Sequence, residues 1–373
     1  MGIPPRARVR VIMTRLAARG SRLAMAYVMS AFRGTFPPAK AGRCRTVVVQ
    51  AFRPAVIVTA LFALPIAAAA QDTHLVVITG VGGDDEHTQN FHKWASTIVS
   101  AARERGGLSD ATITYLGDKP ELDAAHIKAR STRENVQKAF ADLASHAKPV
   151  DEVFIVLIGH GSFDGQKAAF NLPGPDLNAD DYAKLLEKVP AQRIVFVNTA
   201  SSSGAFVQAL AGPGRTIVTS TKTGGEKNEP VFAQYFAEAF KDPAADTDRN
   251  GRVSVSEAFE YAKAKVVASY QKAGTILTEH ATLDDSQDGK FAATLFLESD
   301  RARAEKTANV ANPELRVLLE AQQKLENDIT QLRLKKDVMP AAEYDQQMEK
   351  LLTELAQKGR AIRDLEAAGA KKP

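Results

Sequence analysis

The segment RIVFVNTASSSG, residues 193–204, passes from a short apolar run to small polar residues ending in a glycine. Residues 194–197 are β-branched or aromatic, which is typical of a strand buried on both faces of a parallel sheet. An upstream run at 153–158 has the same character and ends in Gly159-His160-Gly161. If the two runs are neighbouring parallel strands, His160 and Ser201 lie at the edge of the sheet where ligands bind in open α/β folds.

Other apolar runs predict further strands and helices around these two. Strands are predicted at 74–79, 111–115 and 216–219, and helices at about 88–105, 131–146, 178–188 and 229–240. Ser131 and Glu134 are spaced as a capping box at the start of the second helix. Strands alternating with helices at this spacing predict an α/β domain over 71–300, with a mostly parallel sheet covered by helices on both faces.

Residues 1–70 are predicted to be a basic leader that ends in a signal peptide. They contain eleven Lys and Arg and no Asp or Glu, and the apolar stretch at 55–70 ends in small residues suited to cleavage near Ala70–Gln71. A periplasmic or secreted protein is therefore expected. The alternative is an uncleaved membrane anchor, but the stretch is short and contains Pro65. Cys44, the one cysteine, precedes it, so the mature protein would have no disulfide.

The rest of the chain is acidic. Residues 71–373 hold 37 Lys and Arg against 44 Asp and Glu, a net charge of about −7, whereas the whole chain carries +4. The sequence pI of about 8.9 therefore reflects the leader. This composition gives no reason to expect nucleic-acid binding by the body of the protein, and no stable membrane span is expected once the leader is cleaved.

A histidine at a strand end beside a nucleophile can act as a general base, with the Gly161 N–H as an oxyanion donor. A strand ending in His-Gly, followed by one ending in Ala-Cys-x-Ser-Gly, is the signature of the caspase-like and legumain-like cysteine peptidases. Over about residues 73–295 this chain resembles that fold, and especially the bacterial legumain-like (C13-type) members. The resemblance implies that His160 takes the position of the catalytic histidine, Gly161 that of the oxyanion glycine, and Ser201 that of the nucleophile.

The serine at position 201 departs from this pattern. A cysteine thiol has a pKa of about 8.5 and a neighbouring histidine can hold it as a thiolate. A serine hydroxyl is far less acidic and needs a base oriented by a carboxylate, for which Asp164 is the nearest candidate in sequence. The favoured prediction is a non-hydrolytic scaffold. A serine-dependent peptidase remains open, as does a register that puts Ser202 or Ser203 in the site.

Residues 246–257, DTDRNGRVSVSE, match the calcium-binding loop of an EF-hand. Oxygen ligands for Ca²⁺ would come from six residues: Asp246, Asp248, Asn250, Arg252 through its carbonyl, Ser254, and Glu257 as a bidentate carboxylate. Gly251 allows the sharp turn, and helices are expected on both sides of the loop. The alternative is a polar turn with a helix cap.

A second acidic cluster lies at 284–289, DDSQDG. It begins like a calcium loop, but Leu295 stands where the acid of the twelfth position is needed. We predict a turn here, with weak ion binding as the alternative.

Residues 301–373 are predicted to form an antiparallel helical hairpin of coiled-coil type. Leucine and isoleucine recur at intervals of three, four and seven residues in 314–338 and again in 341–365, and Met339-Pro340 separates the two segments. The hairpin either packs on the globular domain or, through 313–368, binds a protein partner or a second copy. A peptide or protein ligand is the expected class of partner.

Several polar residues near the expected site are predicted to have structural roles. His87 and His92 are five residues apart, which is the wrong spacing for two ligands on one helical face, and we assign them to the surface. The segment 226–229 is predicted to be a polar loop with a helix cap. His280, after Glu279, is likewise predicted to be a surface residue.

Overall fold

The computed structural model describes residues 71–285, 289–333, 335 and 338–370. The leader predicted at 1–70 lies outside these residues. Strands β1 to β10 are Thr73–Thr79, Ile113–Gly117, Ile127–Arg130, Glu152–Ile158, Gly161–Phe163, Ala168–Phe170, Leu177–Asn178, Arg193–Asn198, Arg215–Thr219 and Thr282–Asp284. Helices α1 to α9 are Asp85–Glu104, Arg133–His146, Ala179–Leu186, Phe206–Leu210, Phe232–Ala239, Val255–Ala273, Asp300–Ala308, Pro313–Arg333 and Ala341–Ala370.

The central sheet has seven strands in the order β10-β9-β8-β4-β1-β2-β3. All neighbouring pairs are parallel except β10 with β9, which is antiparallel. The predicted strands at 153–158 and 194–197 are β4 and β8, and they are adjacent, with Leu157 opposite Asn198. The predicted mostly parallel α/β sheet is therefore confirmed.

Helices cover both faces of the sheet. Leu75 and Val77 of β1 belong to a core shared with α1, α5 and α6, whereas Val76 and Ile78 belong to a core on the opposite face shared with α2, α3 and α4. Successive side chains of a strand point to opposite faces. Because both faces are covered, the strands are apolar throughout rather than alternating.

Polar side chains fix where the helices start. Asn178 and Asp181 form a capping box at α3, and Ser254 and Glu257 form another at α6. The capping box predicted from Ser131 is wrong by one residue. Thr132 caps α2 by accepting a hydrogen bond from the Asn135 N–H, and no reciprocal bond from the helix is present there.

Several short elements of the structure are not among those predicted from the sequence. Strands β5, β6 and β7 form a separate antiparallel sheet that begins directly after His160. Strand β10 precedes the segment predicted to be a turn and shares only Asp284 with it. Among the described residues, no helix is both long enough and apolar enough to cross a membrane.

Candidate functional site

The carboxyl ends of β1, β4 and β8 meet at one edge of the sheet, and the loops that follow them form the candidate site. The chain leaves β1 toward β2 and β3 on one side, and β4 lies on the other side of β1. Such a reversal of strand order opens a crevice at the carboxyl edge. The backbones approach closely here, because a Cβ on Gly159 would lie 3.0 Å from the Gly80 Cα.

Ser201 and Gly161 meet at this edge. The Ser201 hydroxyl donates to the Gly161 carbonyl oxygen over 3.0 Å, and the Gly161 N–H donates to the Ser201 Oγ over 3.3 Å. A Cβ on Gly161 would lie 2.2 Å from the Ser201 carbonyl oxygen, so a residue without a side chain is required at position 161. The structure therefore brings together the two residues that the resemblance pairs as nucleophile position and oxyanion glycine.

The two following serines, Ser202 and Ser203, are both almost completely buried. The Ser203 hydroxyl lies 3.1 Å from that of Ser220 and 3.2 Å from that of Thr221, inside the protein. Ser202 is buried and has a left-handed backbone with φ of 59°. The alternative register with Ser202 or Ser203 in the site therefore has no geometric support.

The His160 ring is held by the loop after β1. Its Nε2 lies 3.2 Å from the Gly82 carbonyl oxygen, and a carbonyl only accepts, so Nε2 carries a proton there. Phe91 packs edge-on against the ring, with 5.1 Å between the centroids. Among the described hydrogen bonds, none joins His160 to Ser201.

Asp164, the proposed orienting acid, does not contact His160 through any described hydrogen bond. Its Oδ1 accepts from the N–H groups of Gln166 and Lys167, at 2.8 and 2.7 Å, in an exposed turn between β5 and β6. These backbone hydrogen bonds, that of Lys167 foremost, lower the pKa of Asp164. The expectation that it orients the histidine thus finds no support.

His87 lies beside His160, a juxtaposition that sequence reasoning missed. The two ring centroids are 5.0 Å apart. His87 Nε2 is 2.9 Å from Glu229 Oε2, and His87 Nδ1 is 2.7 Å from Asp84 Oδ2. These hydrogen bonds, with Glu229 foremost, raise the pKa of His87. The His87 side chain is partly exposed, in line with the predicted surface position, but it also belongs to a polar cluster at the carboxyl edge.

The segment that carries Glu229 is fixed by Glu279. This buried carboxylate accepts from the Val231 and Phe232 N–H groups at 2.9 and 3.2 Å, where α5 begins. Burial raises the pKa of Glu279, against these two hydrogen bonds. Its neighbour His280 is exposed and contacts Glu226 over 3.1 Å, so it matches the predicted surface role apart from this ion pair.

The loop at 246–257 gathers three carboxylates. Asp246, Asp248 and Glu257 each offer an oxygen, and the three oxygens lie within 4.8 Å of one another. Asp246 also accepts from the N–H groups of Asn250 and Gly251, at 3.0 and 2.8 Å. Gly251 has φ of +84°, the left-handed turn that the motif needs.

Negative charge is concentrated in this partly buried loop. Burial raises the pKa of Asp246, and the neighbouring charges of Asp248 and Glu257 add to the rise. Two hydrogen bonds orient the Glu257 carboxylate at the end of the loop. Its Oε1 accepts from the Thr247 N–H at 3.0 Å, and its Oε2 accepts from the Ser254 N–H at 2.9 Å. A divalent cation would relieve the repulsion between these carboxylates.

The elements around this loop differ in part from the prediction. Helix α6 follows as expected, but the preceding helix α5 ends at Ala239 and a 3₁₀ turn, Pro243–Ala245, leads into the loop. The second acidic cluster, 284–289, was predicted to be a turn, and the residues of it that the structure describes are consistent with a turn. There Asp285 accepts from the Gly289 and Ala292 N–H groups, and Leu295 is buried.

The C-terminal helices form a hairpin that contacts the calcium-type loop. Leu325 and Ile329 of α8 pack with Leu355 of α9. Glu326, nearly fully buried, pairs with Arg303 and lies 3.7 Å from Arg252 of the loop. The hairpin thus packs on the globular domain, as one of the two alternatives predicted.

Comparison with known proteins gives one family match. The sequence model of the Peptidase C13 family matches residues 130–284, which include His160, Ser201 and the loop at 246–257. A search of curated proteins gives no match. A solved structure that is similar to this chain is that of the Drosophila initiator caspase Dronc, at 12% identity over 60% of this chain and 84% of that one, with a TM-score of 0.38. The family match supports a caspase/legumain-like peptidase fold.

Proposed function

We propose that this protein is a secreted member of the caspase/legumain-like fold that does not hydrolyse peptides and that binds calcium through residues 246–257. The observation that carries the first part is the hydrogen bond of the Ser201 hydroxyl. A serine nucleophile must give its proton to a base, but here the proton points to the Gly161 carbonyl and the His160 Nε2 proton to the Gly82 carbonyl. A hydroxyl held in this way is not activated.

The calcium part rests on the three carboxylates of Asp246, Asp248 and Glu257, whose oxygens lie within 4.8 Å of one another. Carboxylates, an asparagine side chain and a backbone carbonyl are the oxygen ligands that Ca²⁺ takes in loops of this length. The hydrogen bonds of Asn250 and Gly251 to Asp246 support a turn already close to its bound shape.

We infer secretion from the apolar stretch at 55–70, which ends in small residues suited to cleavage before Gln71. The Glu152 N–H donates to the Asp72 carbonyl over 3.0 Å, and Arg193 contacts Gln71 over 3.4 Å. Cleavage near Ala70–Gln71 would keep both contacts, because Gln71 and Asp72 follow the proposed cleavage point. Mass analysis of the protein recovered from the culture medium or periplasm tests this, since it reads the first residue directly.

A serine peptidase that uses Ser201 and His160 is the second candidate. The 3.3 Å contact from the Gly161 N–H to Ser201 Oγ favours it, because nucleophile and oxyanion donor are already adjacent. Hydrolysis of a broad peptide library by wild type and by Ser201→Ala separates the two. No turnover in either protein supports the proposal, and turnover that is lost in Ser201→Ala rejects it.

A third candidate function is protein interaction through the hairpin. Val317 on α8 is 61% exposed and Leu352 on α9 is 40% exposed, so both helices keep apolar side chains on the surface. Self-association through 313–368 predicts a mass above that of one chain in light scattering. Replacing Val317 and Leu352 with glutamate should then return the protein to a monomer.

Calcium binding has a separate test. Isothermal titration of Ca²⁺ into the purified protein should give one site, which Asp246→Ala and Glu257→Gln each weaken. An absence of binding in the wild type would reject the calcium part and leave the prediction about hydrolysis unaffected.

A further inference from the structure

A group of three potential metal ligands lies at the carboxyl edge of the sheet. His87, His160 and Glu229 each offer one ligand atom, and these atoms are all within 4.8 Å of one another. The three residues come from the loop and helix after β1, the loop after β4 and the loop after β9. Their sequence separation is large, so the fold itself brings them together.

The donor set indicates the class of ion. Two imidazoles and one carboxylate suit zinc and other divalent first-row transition metals, whereas calcium prefers oxygen donors alone. Ligand atoms around a tetrahedral zinc ion lie roughly 3.3 Å apart, given bonds of about 2.0 Å. Atoms already within 4.8 Å of one another therefore need only small side-chain rotations.

Outer hydrogen bonds orient both histidines. Asp84 Oδ2 lies 2.7 Å from His87 Nδ1, which leaves His87 Nε2 facing Glu229. The Gly82 carbonyl accepts from His160 Nε2 over 3.2 Å, which leaves His160 Nδ1 as the nitrogen with a lone pair. Metal-binding histidines are commonly held in this way by a carboxylate or a backbone carbonyl on the other ring nitrogen.

The cluster is also electrostatically suited to a cation. Two carboxylates, Asp84 and Glu229, flank the His87 imidazole, which lies beside that of His160. Phe91 packs against both rings, with centroid distances of 6.0 Å to His87 and 5.1 Å to His160, and so provides an apolar wall. A plain ion pair would account for the contact of His87 with Glu229, but it gives no role to the neighbouring His160.

We propose that His87, His160 and Glu229 bind a divalent transition metal, with zinc as the ion to test. Three protein ligands leave a fourth position open on a tetrahedral ion, which suits a water molecule or a carboxylate or carbonyl of a ligand. The site is independent of the calcium loop. It uses the histidine that a serine peptidase of this fold needs as its base, so bound metal and hydrolysis through Ser201 exclude each other.

Zinc titration of the purified full chain tests the proposal. The protein is first treated with chelator, dialysed, and saturated with calcium so that the loop at 246–257 is filled. We expect one zinc ion per chain by isothermal titration. Cobalt in place of zinc should give the intense visible absorption of a tetrahedral site with nitrogen and oxygen ligands. Asp246→Ala should leave zinc binding unchanged.

Variants identify the ligands. His87→Gln and Glu229→Gln should each weaken zinc binding more than tenfold, and Asp84→Asn, which removes an outer partner, by roughly tenfold or more. His126→Gln is the matched control, because His126 is exposed and lies 2.8 Å from Asp123 three residues earlier, as His87 does with Asp84. It should have no effect.

The proposal is overturned if the calcium-saturated wild type shows no saturable zinc binding. It is also overturned if His87→Gln and Glu229→Gln bind zinc as the wild type does, or if His126→Gln weakens binding equally. Circular dichroism of each variant shows whether it is folded. His87 and Glu229 are both partly exposed, so conservative changes there should preserve the fold.

Discussion

Calcium should stabilise this protein through Asp246, and the structure sets the expected size of the effect. A ligand present at 100 times its Kd adds about 2.7 kcal/mol to the free energy of unfolding. For a domain of this size, about 1 kcal/mol changes the Tm by roughly 2–4 °C. Saturating calcium should therefore raise the Tm of the wild type by roughly 5–10 °C relative to chelator.

Asp246→Asn should remove this gain and change little else. In chelator, the variant loses one of the two acceptor oxygens that bind the Asn250 and Gly251 N–H groups. The loss of this hydrogen bond lowers the free energy of unfolding by about 1 kcal/mol. The substitution also removes a partly buried charge whose pKa is raised by its partial burial and by the charges of Asp248 and Glu257. The two effects offset each other, so we expect a stability within about 1 kcal/mol of wild type in chelator and a large deficit in calcium.

Asp164→Asn is the matched control for this experiment. Asp164 also accepts hydrogen bonds from two backbone N–H groups, but it is exposed and its pKa is lowered rather than raised. Its effect on Tm should be the same with calcium and with chelator. Differential scanning calorimetry measures all three proteins. An equal gain from calcium in wild type and Asp246→Asn would refute the assignment of the loop.

Three further changes test other parts of the structure. Gly161→Ala puts a Cβ 2.2 Å from the Ser201 carbonyl oxygen and should destabilise the protein by about 1–3 kcal/mol, measured by urea unfolding. Burial raises the pKa of Glu152 to about 7 from its ordinary value of 4.5, so the folded protein holds the Glu152 proton more tightly than the unfolded chain does. The contribution of this proton to the free energy of unfolding is fully present below about pH 4.5 and is lost as the pH rises through about 7. Glu152→Gln should remove that dependence in unfolding measured across this range. Glu326→Gln weakens the buried pairs with Arg252 and Arg303 at a cost of roughly 3 kcal/mol, which limited proteolysis of the hairpin should detect.

The sheet could be predicted from the sequence because its strands are apolar on both faces. The apolar run of β4 ends in Gly159-His160, and that of β8 ends in small polar residues. This change from apolar to polar residues correctly predicted where the carboxyl edge of the sheet lies. Strand β10, which covers only 282–284, is too short and too polar to stand out. It owes its position to pairing with β9, a long-range contact that local sequence does not encode.

The cluster at His87 could not be found from spacing along the chain. Its contact with Glu229 joins residues 142 positions apart. Spacing along the helix compares His87 only with near neighbours such as His92, five residues away, and says nothing about Glu229. The cluster could have been predicted from the positions of these residues relative to the strands. Asp84 and His87 follow the first predicted strand, and Glu229 follows the fifth. A parallel sheet brings both loops to the same edge as His160.

The calcium-type motif could be recognised from the sequence because its candidate ligands lie within twelve consecutive residues. The elements that flank the loop could not be predicted in the same way. Whether a helix continues into the loop depends on where α5 ends, and tertiary packing decides that position. The residues between Ala239 and Asp246 include Pro243, which starts a 3₁₀ turn instead of continuing the helix.

The loss of hydrolysis is the central claim, and a comparison of wild type, Ser201→Ala and Ser201→Cys tests it most directly. Each purified protein is incubated with a broad peptide library, with calcium and with chelator, and the products are detected by mass spectrometry. The hydrogen bond from Ser201 to the Gly161 carbonyl predicts no turnover by wild type or by Ser201→Ala under either condition. Turnover by wild type that disappears in Ser201→Ala would contradict the account and make Ser201 a working nucleophile. The cysteine variant restores the thiol of the family pattern, and cleavage by it alone would attribute the loss to this one residue.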